Sequence, residues 1–285
     1  MKEYYLLTKP GIIYGNALNI TAGFLIATRG HFEYLFIPTL LGSSLIIGSA
    51  CVFNNYFDRQ IDRKMSRTKN RALVTGTVPP LNALTFGTLL GTLGFLILLT
   101  YTNILTVVVG CLGFLFYVVV YTFYKRHSPY GTLVGSISGA IPPVAGYTAV
   151  TNNLDAAAVI LFFILVFWQM PHFYAIAIRR KAEYAAAKIP VMPIKKGILR
   201  TKLEMNFYIL AYILSVMALA YYGYARWTYL IVITIFGCIW LWLGLSGLKS
   251  NTNTDDVEWA RKMFYLSLVI TVAFFVMASA GKLLP

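Results

Sequence analysis

The chain has 285 residues, 58% of them hydrophobic and only 12% charged, with a mean hydropathy of +0.69, a balance outside that of soluble globular domains. Its 24 basic residues outnumber the 10 acidic ones, for a formal net charge of +14. Apolar runs of roughly 20 residues recur, each long enough to cross about 30 Å of hydrocarbon, and the alternation of barrel strands is absent. The fold class predicted is therefore an all-α polytopic membrane protein, and no nucleic-acid partner is expected.

Nine spans are predicted in chain order, near 11–28, 35–57, 81–101, 104–124, 130–150, 156–178, 205–223, 227–247 and 263–281. The first follows Lys2 and Lys9; it is too long for a signal-peptide core and no persuasive small-residue cleavage site follows it, so it reads as retained. The N-terminal tail and the connections after spans 2, 4, 6 and 8 hold 21 of the 24 basic residues, leaving Arg29, Arg226 and Lys282 on the other side. This asymmetry places the N-terminus and both long loops in the cytoplasm and the C-terminus outside. The two long basic loops lie four helices apart, which suggests a duplicated four-helix unit plus one helix within a single domain, 1–285. Cys51, Cys111 and Cys238 stand singly in the spans without CxxC spacing and read as small buried apolar residues.

The end of span 2 carries the chemistry. The stretch "NNYFDRQIDRKMSRTKNR", residues 54 to 71, has eight charges in eighteen positions. Asn54, Asp58 and Asp62 recur every fourth residue, so on a helix they form one stripe about 12 Å long. Two carboxylates and an amide oxygen suit Mg²⁺, which is commonly shared between protein carboxylates and substrate phosphates. The cations that follow, Arg59, Arg63, Lys64, Arg67, Lys69 and Arg71, can hold remaining phosphate oxygens.

In span 5, Gly131, Gly135 and Gly139 recur every fourth residue ahead of Pro142 and Pro143, a pattern that close helix packing explains. In span 6, His172 is the only ionisable side chain well inside the membrane, where such residues are functional by default; His127 lies in the 4/5 loop on the same side. The loop after span 6 is basic, with Arg179, Arg180 and Lys181, and keeps Glu183 as its lone acid as far as Pro193.

"NNYFDRQID" resembles the NDxxDxxxD motif of the UbiA-type intramembrane prenyltransferases. The resemblance implies a nine-helix bundle that binds Mg²⁺ and a prenyl diphosphate at Asn54, Asp58 and Asp62, with Asn55 where the family usually has an aspartate. It also implies a second acidic motif after span 6, where this chain reads "HFYAIAIRRKAEYAAAKIPVMP". That departure, with "YKRHSPYGTLVGSISGAIPPVAGY" and "WQMPHFYAIAI", is similar to the heme-farnesylating branch of the superfamily. The branch implies farnesyl diphosphate and heme b as substrates and heme O as product, with the heme A synthesis enzyme as a candidate partner in a bacterial cytoplasmic membrane. With these readings combined, Asp58, Asp62 and His172 are expected as catalytic residues, His172 and His127 being on the side from which a heme iron or its propionates could be approached, and Asn54, Asn55, the basic run, His127, Arg179, Arg180, Lys181 and Glu183 as substrate contacts. A prenyltransferase acting on an aromatic quinone precursor is the nearer alternative. A transporter is the farther one, since no other ionisable group lies deep in a span.

Overall fold

The computed structural model describes residues 1–249 and 252–279, and among these it is helical throughout, with no strand. Among the described residues, nine helices are long and apolar enough to cross a membrane: α1 (Pro10–Ala27), α2 (Phe36–Asp62), α3 (Pro80–Tyr101), α4 (Ile104–His127), α5 (Gly131–Thr151), α6 (Ala156–Arg179), α7 (Ile198–Tyr221), α8 (Trp227–Lys249) and α9 (Thr254–Ser279). All nine predicted spans are present. Lys282 and the C-terminus lie outside the described residues.

Two helices start well before their predicted apolar windows, α7 at Ile198 and α9 at Thr254. Their first turns carry polar side chains, and these are tied to each other and to α8. Lys202 of α7 donates to Asp256 of α9 and to the Gly247 carbonyl of α8, while the Trp259 indole donates to the Leu243 carbonyl. A buried lysine is tolerable only when so paired.

The helices close into a ring, α1 packing on α2, α5 and α9, α2 on α3, α6 on α5, α7 and α9, and α8 on α7 and α9. The close pairing of α2 with α3 recurs four helices later between α6 and α7. Contact between α1 and α5 is backbone to backbone: a Cβ on Gly146 would sit 2.1 Å from the Ile20 carbonyl oxygen, and one on Gly23 would sit 1.9 Å from that of Pro143. Apolar side chains such as Leu89, Leu93, Val119, Phe207 and Trp242 point outward, exposed, as lipid-facing surfaces require. This is an integral membrane protein.

Two helices are irregular where they meet the interior. α5 breaks at Ala140, between segments Gly131–Gly139 and Ile141–Thr151, because Pro142 and Pro143 cannot donate to carbonyls one turn back. α4 carries a π-helical turn at Phe116–Tyr121, which stacks the rings of Tyr117 and Tyr121 with centroids 5.6 Å apart.

Candidate active site

A cavity of about 960 Å³ occupies the middle of the ring and reaches the bundle end that carries the long basic loops. It is at the upper end of the roughly 300–1,000 Å³ typical of small-molecule sites. Its wall near that end is polar and charged, with Lys9, Asn54, Asp58, Asp62, Arg67, Arg71, Lys125, Arg179 and Arg180, whereas deeper it is lined by Trp168, Leu165, Phe264 and Leu268.

The stripe on α2 is helical throughout, so Asn54, Asp58 and Asp62 do face one way, all three buried and all three on the cavity. Each oxygen group meets a cation. Asn54 Oδ1 accepts from Lys9 Nζ at 2.6 Å, and Asn54 Nδ2 is buried with no partner among the described residues. Asp58 is paired with Lys125 and, at 3.3 Å, with Arg126. Asp62 is paired with Arg71 at 2.7 Å, and the same guanidinium nitrogen donates to Asn55 Oδ1 at 3.0 Å. Asn55 in turn donates to the Leu7 carbonyl. Asn55 thus anchors the N-terminal segment and steadies Arg71 rather than facing the cavity.

The basic run divides. Arg67 and Arg71 line the cavity, but Arg59, Arg63, Lys64 and Lys69 do not, which corrects the expectation that all six reach phosphates. For Arg59 and Arg63 the reason is rotation, since each follows a stripe position of α2 and is turned about 100° away; Lys64 and Lys69 lie in the turns beyond the end of α2 at Asp62. Arg59 lies over the Tyr56 ring, 4.2 Å from its centroid, and the other three are exposed.

His127 is also corrected. It is exposed, stacked on Phe123 with centroids 4.5 Å apart and bonded to the Phe123 carbonyl. Lys125, two residues earlier and so about 200° around the helix, takes the inward position. In the loop after α6, Arg179 and Arg180 border the cavity, Lys181 is exposed, and Glu183 is paired with Arg180 at 2.9 Å outside the lining.

His172 lines the cavity and is 9% exposed. Its ring is stacked on Trp168, centroids 4.9 Å apart, and tilted against Phe264. Nδ1 lies 2.7 Å from Ser267 Oγ.

Several lining residues were not singled out from sequence. Lys125 follows Tyr121 by one helical turn, which places its ammonium 4.9 Å from that ring's centroid. Lys9 caps α1 in a left-handed conformation, φ 53°, turning its side chain inward. The loss of hydration there pushes Lys9 down to about 8, with Arg71 and Lys125 acting in the same direction against Cys51 and Asp58. The only sequence signal for either lysine was a basic residue at a span boundary, which orientation alone explains. The α5 glycines also separate: a Cβ on Gly131 would strike Lys125 Cα and one on Gly135 the Tyr121 ring, while one on Gly139 would lie 2.0 Å from Gln169 Oε1.

Residues 17–269 match the model of the UbiA prenyltransferase family. The chain belongs to that family. It is 50% identical over 286 residues to the protoheme IX farnesyltransferase of Klebsiella pneumoniae, covering 100% of this chain and 96% of that one. It is equally 50% identical to the enzyme of the same name from Edwardsiella ictaluri, over 98% and 94% of the two chains. Among solved structures, a digeranylgeranylglyceryl phosphate synthase superimposes with a TM-score of 0.81 at 19% identity, covering 98% of each chain. A UbiA homologue from Archaeoglobus fulgidus bound to GPP and Mg²⁺ superimposes with a TM-score of 0.68 at 15% identity, over 97% of this chain and 99% of that one. At those identities the structures establish the UbiA fold. The enzyme class is that of an intramembrane prenyltransferase.

Proposed function

We infer that the chain transfers the farnesyl group of farnesyl diphosphate to a vinyl group of heme b, with addition of water, to give heme O. The observation that carries this reading is the 50% identity, along the whole chain, to protoheme IX farnesyltransferases, and the cavity chemistry supports it.

Asn54, Asp58 and Asp62 form a set of three oxygen donors that are now balanced by basic side chains. No group of three His, Cys, Asp or Glu side chains that could hold a metal exists among the described residues. A site with two carboxylates and one amide fits Mg²⁺ shared with a diphosphate, not a metal held by protein alone. When bound, Mg²⁺ supplies neutralisation of charge on the departing diphosphate.

The chain's own residues do the rest. Lys9, Lys125 and Arg71 already sit on the donor oxygens, within reach of a diphosphate that shares them. Arg67 adds a fourth cation on the lining. These groups hold the leaving diphosphate by charge-assisted bonds, so the allylic C–O bond breaks with its electron pair on oxygen. Tyr117 and Tyr121 present aromatic rings beside that position, and such faces stabilise a cation. Arg179 and Arg180 border the opposite wall and suit the two propionates of heme b, with the macrocycle reaching past His172 into the apolar depth.

The surrounding bilayer, farnesyl diphosphate and heme b are the partners proposed, with the heme A synthesis enzyme downstream. The protein is read as a single domain, in a bacterial cytoplasmic membrane because the relatives are bacterial, and the charge asymmetry supports basic loops and N-terminus inside and C-terminus outside. Purified protein given Mg²⁺, farnesyl diphosphate and reduced heme b is expected to yield a heme heavier by one farnesyl group plus the elements of water. Prenylation of 4-hydroxybenzoate or a naphthoate in place of heme would overturn the acceptor and leave the diphosphate site standing.

A further inference from the structure

Two residues that line the apolar part of the cavity, Gln169 and His172, each carry a hydrogen-bond acceptor with no donor among the described residues to meet it. The first acceptor is Gln169 Oε1. Gln169 is 5% exposed, and its amide nitrogen donates to the carbonyls of Ser136, at 3.1 Å, and Leu165, at 2.9 Å. Both N–H groups are thereby used, and a flipped amide would set oxygen against oxygen, so the orientation is determined. Oε1 is left beside Gly139, where any larger residue would intrude.

The second acceptor is His172 Nε2. Ser267 Oγ donates its only proton to the Phe264 carbonyl at 2.5 Å, so it can only accept from His172 Nδ1. With the proton on Nδ1, the lone pair is on Nε2. Gln169 and His172 are three apart on α6, where Cβ atoms lie about 5–6 Å from each other, and both line the same cavity.

Unmatched acceptors in apolar surroundings are costly unless a ligand supplies the hydrogens. The reactants proposed above cannot. A farnesyl chain has no polar hydrogen, the methyl and vinyl edge of heme has none, and the propionates are themselves acceptors at neutral pH. Water is the one reactant with two hydrogens to give.

We propose that Gln169 Oε1 and His172 Nε2 hold the water that is added in the reaction, taking one hydrogen each and leaving an oxygen lone pair turned to the cavity. This rests on the heme-farnesylating reading. The C–O bond of farnesyl diphosphate breaks with its electrons on the diphosphate, and the vinyl π pair forms the C–C bond to the farnesyl carbon. The vinyl carbon next to the macrocycle is then electron-deficient. The water oxygen bonds to it while one water proton passes to Nε2. Without that water, the same cation loses a proton from the adjacent CH2 and becomes an alkene.

The test is product partition by mass, in labelled water, for the purified full chain with Mg²⁺, farnesyl diphosphate and reduced heme b. Gln169→Met keeps the length and removes the acceptor. Gly139→Ala keeps Gln169 and His172 chemically intact but displaces the Gln169 amide, since the added Cβ would lie 2.0 Å from Oε1. Each is expected to keep prenylating heme while the hydrated share of product falls at least tenfold, replaced by farnesyl-heme lacking the elements of water and the label. Fully hydrated product from a folded Gln169→Met or Gly139→Ala protein overturns the proposal, as does absence of any prenylated heme from both. A bound-heme spectrum that loses an axial histidine in His172→Ala also overturns it, since Nε2 would then be on iron. If the unaltered protein prenylates no heme, it is the functional reading that fails.

Discussion

Each carboxylate of the cradle is one half of an ion pair, so its removal acts on stability as well as chemistry. Removing one partner of a fully buried pair costs about 3–5 kcal/mol; these pairs border an open cavity and fall below that. If the two carboxylates share Mg²⁺ with the diphosphate as proposed, Asp58→Ala or Asp62→Ala is expected to lower turnover by at least ~1,000-fold, because among the described residues no third acidic side chain joins them. The double variant Asp58→Asn with Lys125→Met should recover thermal stability relative to Asp58→Ala, with turnover still absent; recovery of turnover would remove Asp58 from the mechanism. Lys9 gives a pH signature. With its ammonium pushed down to about 8, it is charged below that pH and neutral above it, so affinity for farnesyl diphosphate should fall as pH rises through 8. Lys9→Arg stays charged and should flatten the binding profile measured from pH 7 to 9.5. An unchanged profile would place Lys9 outside the diphosphate site.

At the scale of elements, the cavity exists because some helices touch and others do not. α1 and α5 meet backbone to backbone, and Gly146→Ala places a methyl 2.1 Å from the Ile20 carbonyl oxygen. Overpacking of this kind costs about 1–3 kcal/mol, so the variant should melt at lower temperature in detergent. Gly11→Ala, on the same helix pair but with nothing within 4 Å of the added carbon, is the matched control and should melt near the parent. Elsewhere the helices yield. The α5 break at Ala140 brings the Ser136 carbonyl to Gln169, and the π turn of α4 brings Tyr117 and Tyr121 to the cavity wall. Neither irregularity shows in hydropathy, though the two prolines marked the position of the first.

For the whole molecule, one end of the bundle gathers the cations. A cysteine at Ser66, in a background free of Cys51, Cys111 and Cys238, is expected to be labelled only from the cytoplasmic side, and one at Asn153 only from outside. Ser66 is exposed, whereas Thr68, an equally plain loop position by sequence, is 1% exposed and bonded to the Asp62 carbonyl. Labelling of Ser66Cys from outside would invert the orientation. The loop around Thr68 is folded against α2, and it is this folding that returns Arg71 to Asp62 nine residues earlier.

What the sequence determined by itself was whatever depends on the pattern within one segment. Nine apolar windows gave nine helices, because a backbone in hydrocarbon must satisfy its own hydrogen bonds. The fourfold spacing of Asn54, Asp58 and Asp62 gave one stripe, because a helix repeats every 3.6 residues. The tertiary structure decided which members of a basic run face inward and which partners come from distant helices. Arg71 turns in while Arg63, Lys64 and Lys69 turn out; Lys9 reaches Asn54 across 45 residues and Lys125 reaches Asp58 across 67. His172 was legible as a polar group at depth, but its tautomer depends on Ser267, 95 residues away. Orientation of Gln169 depends on a broken turn of α5. A side chain's periodicity is local, but the electric and hydrogen-bonding environment that gives it a role is assembled from every helix that lines the cavity.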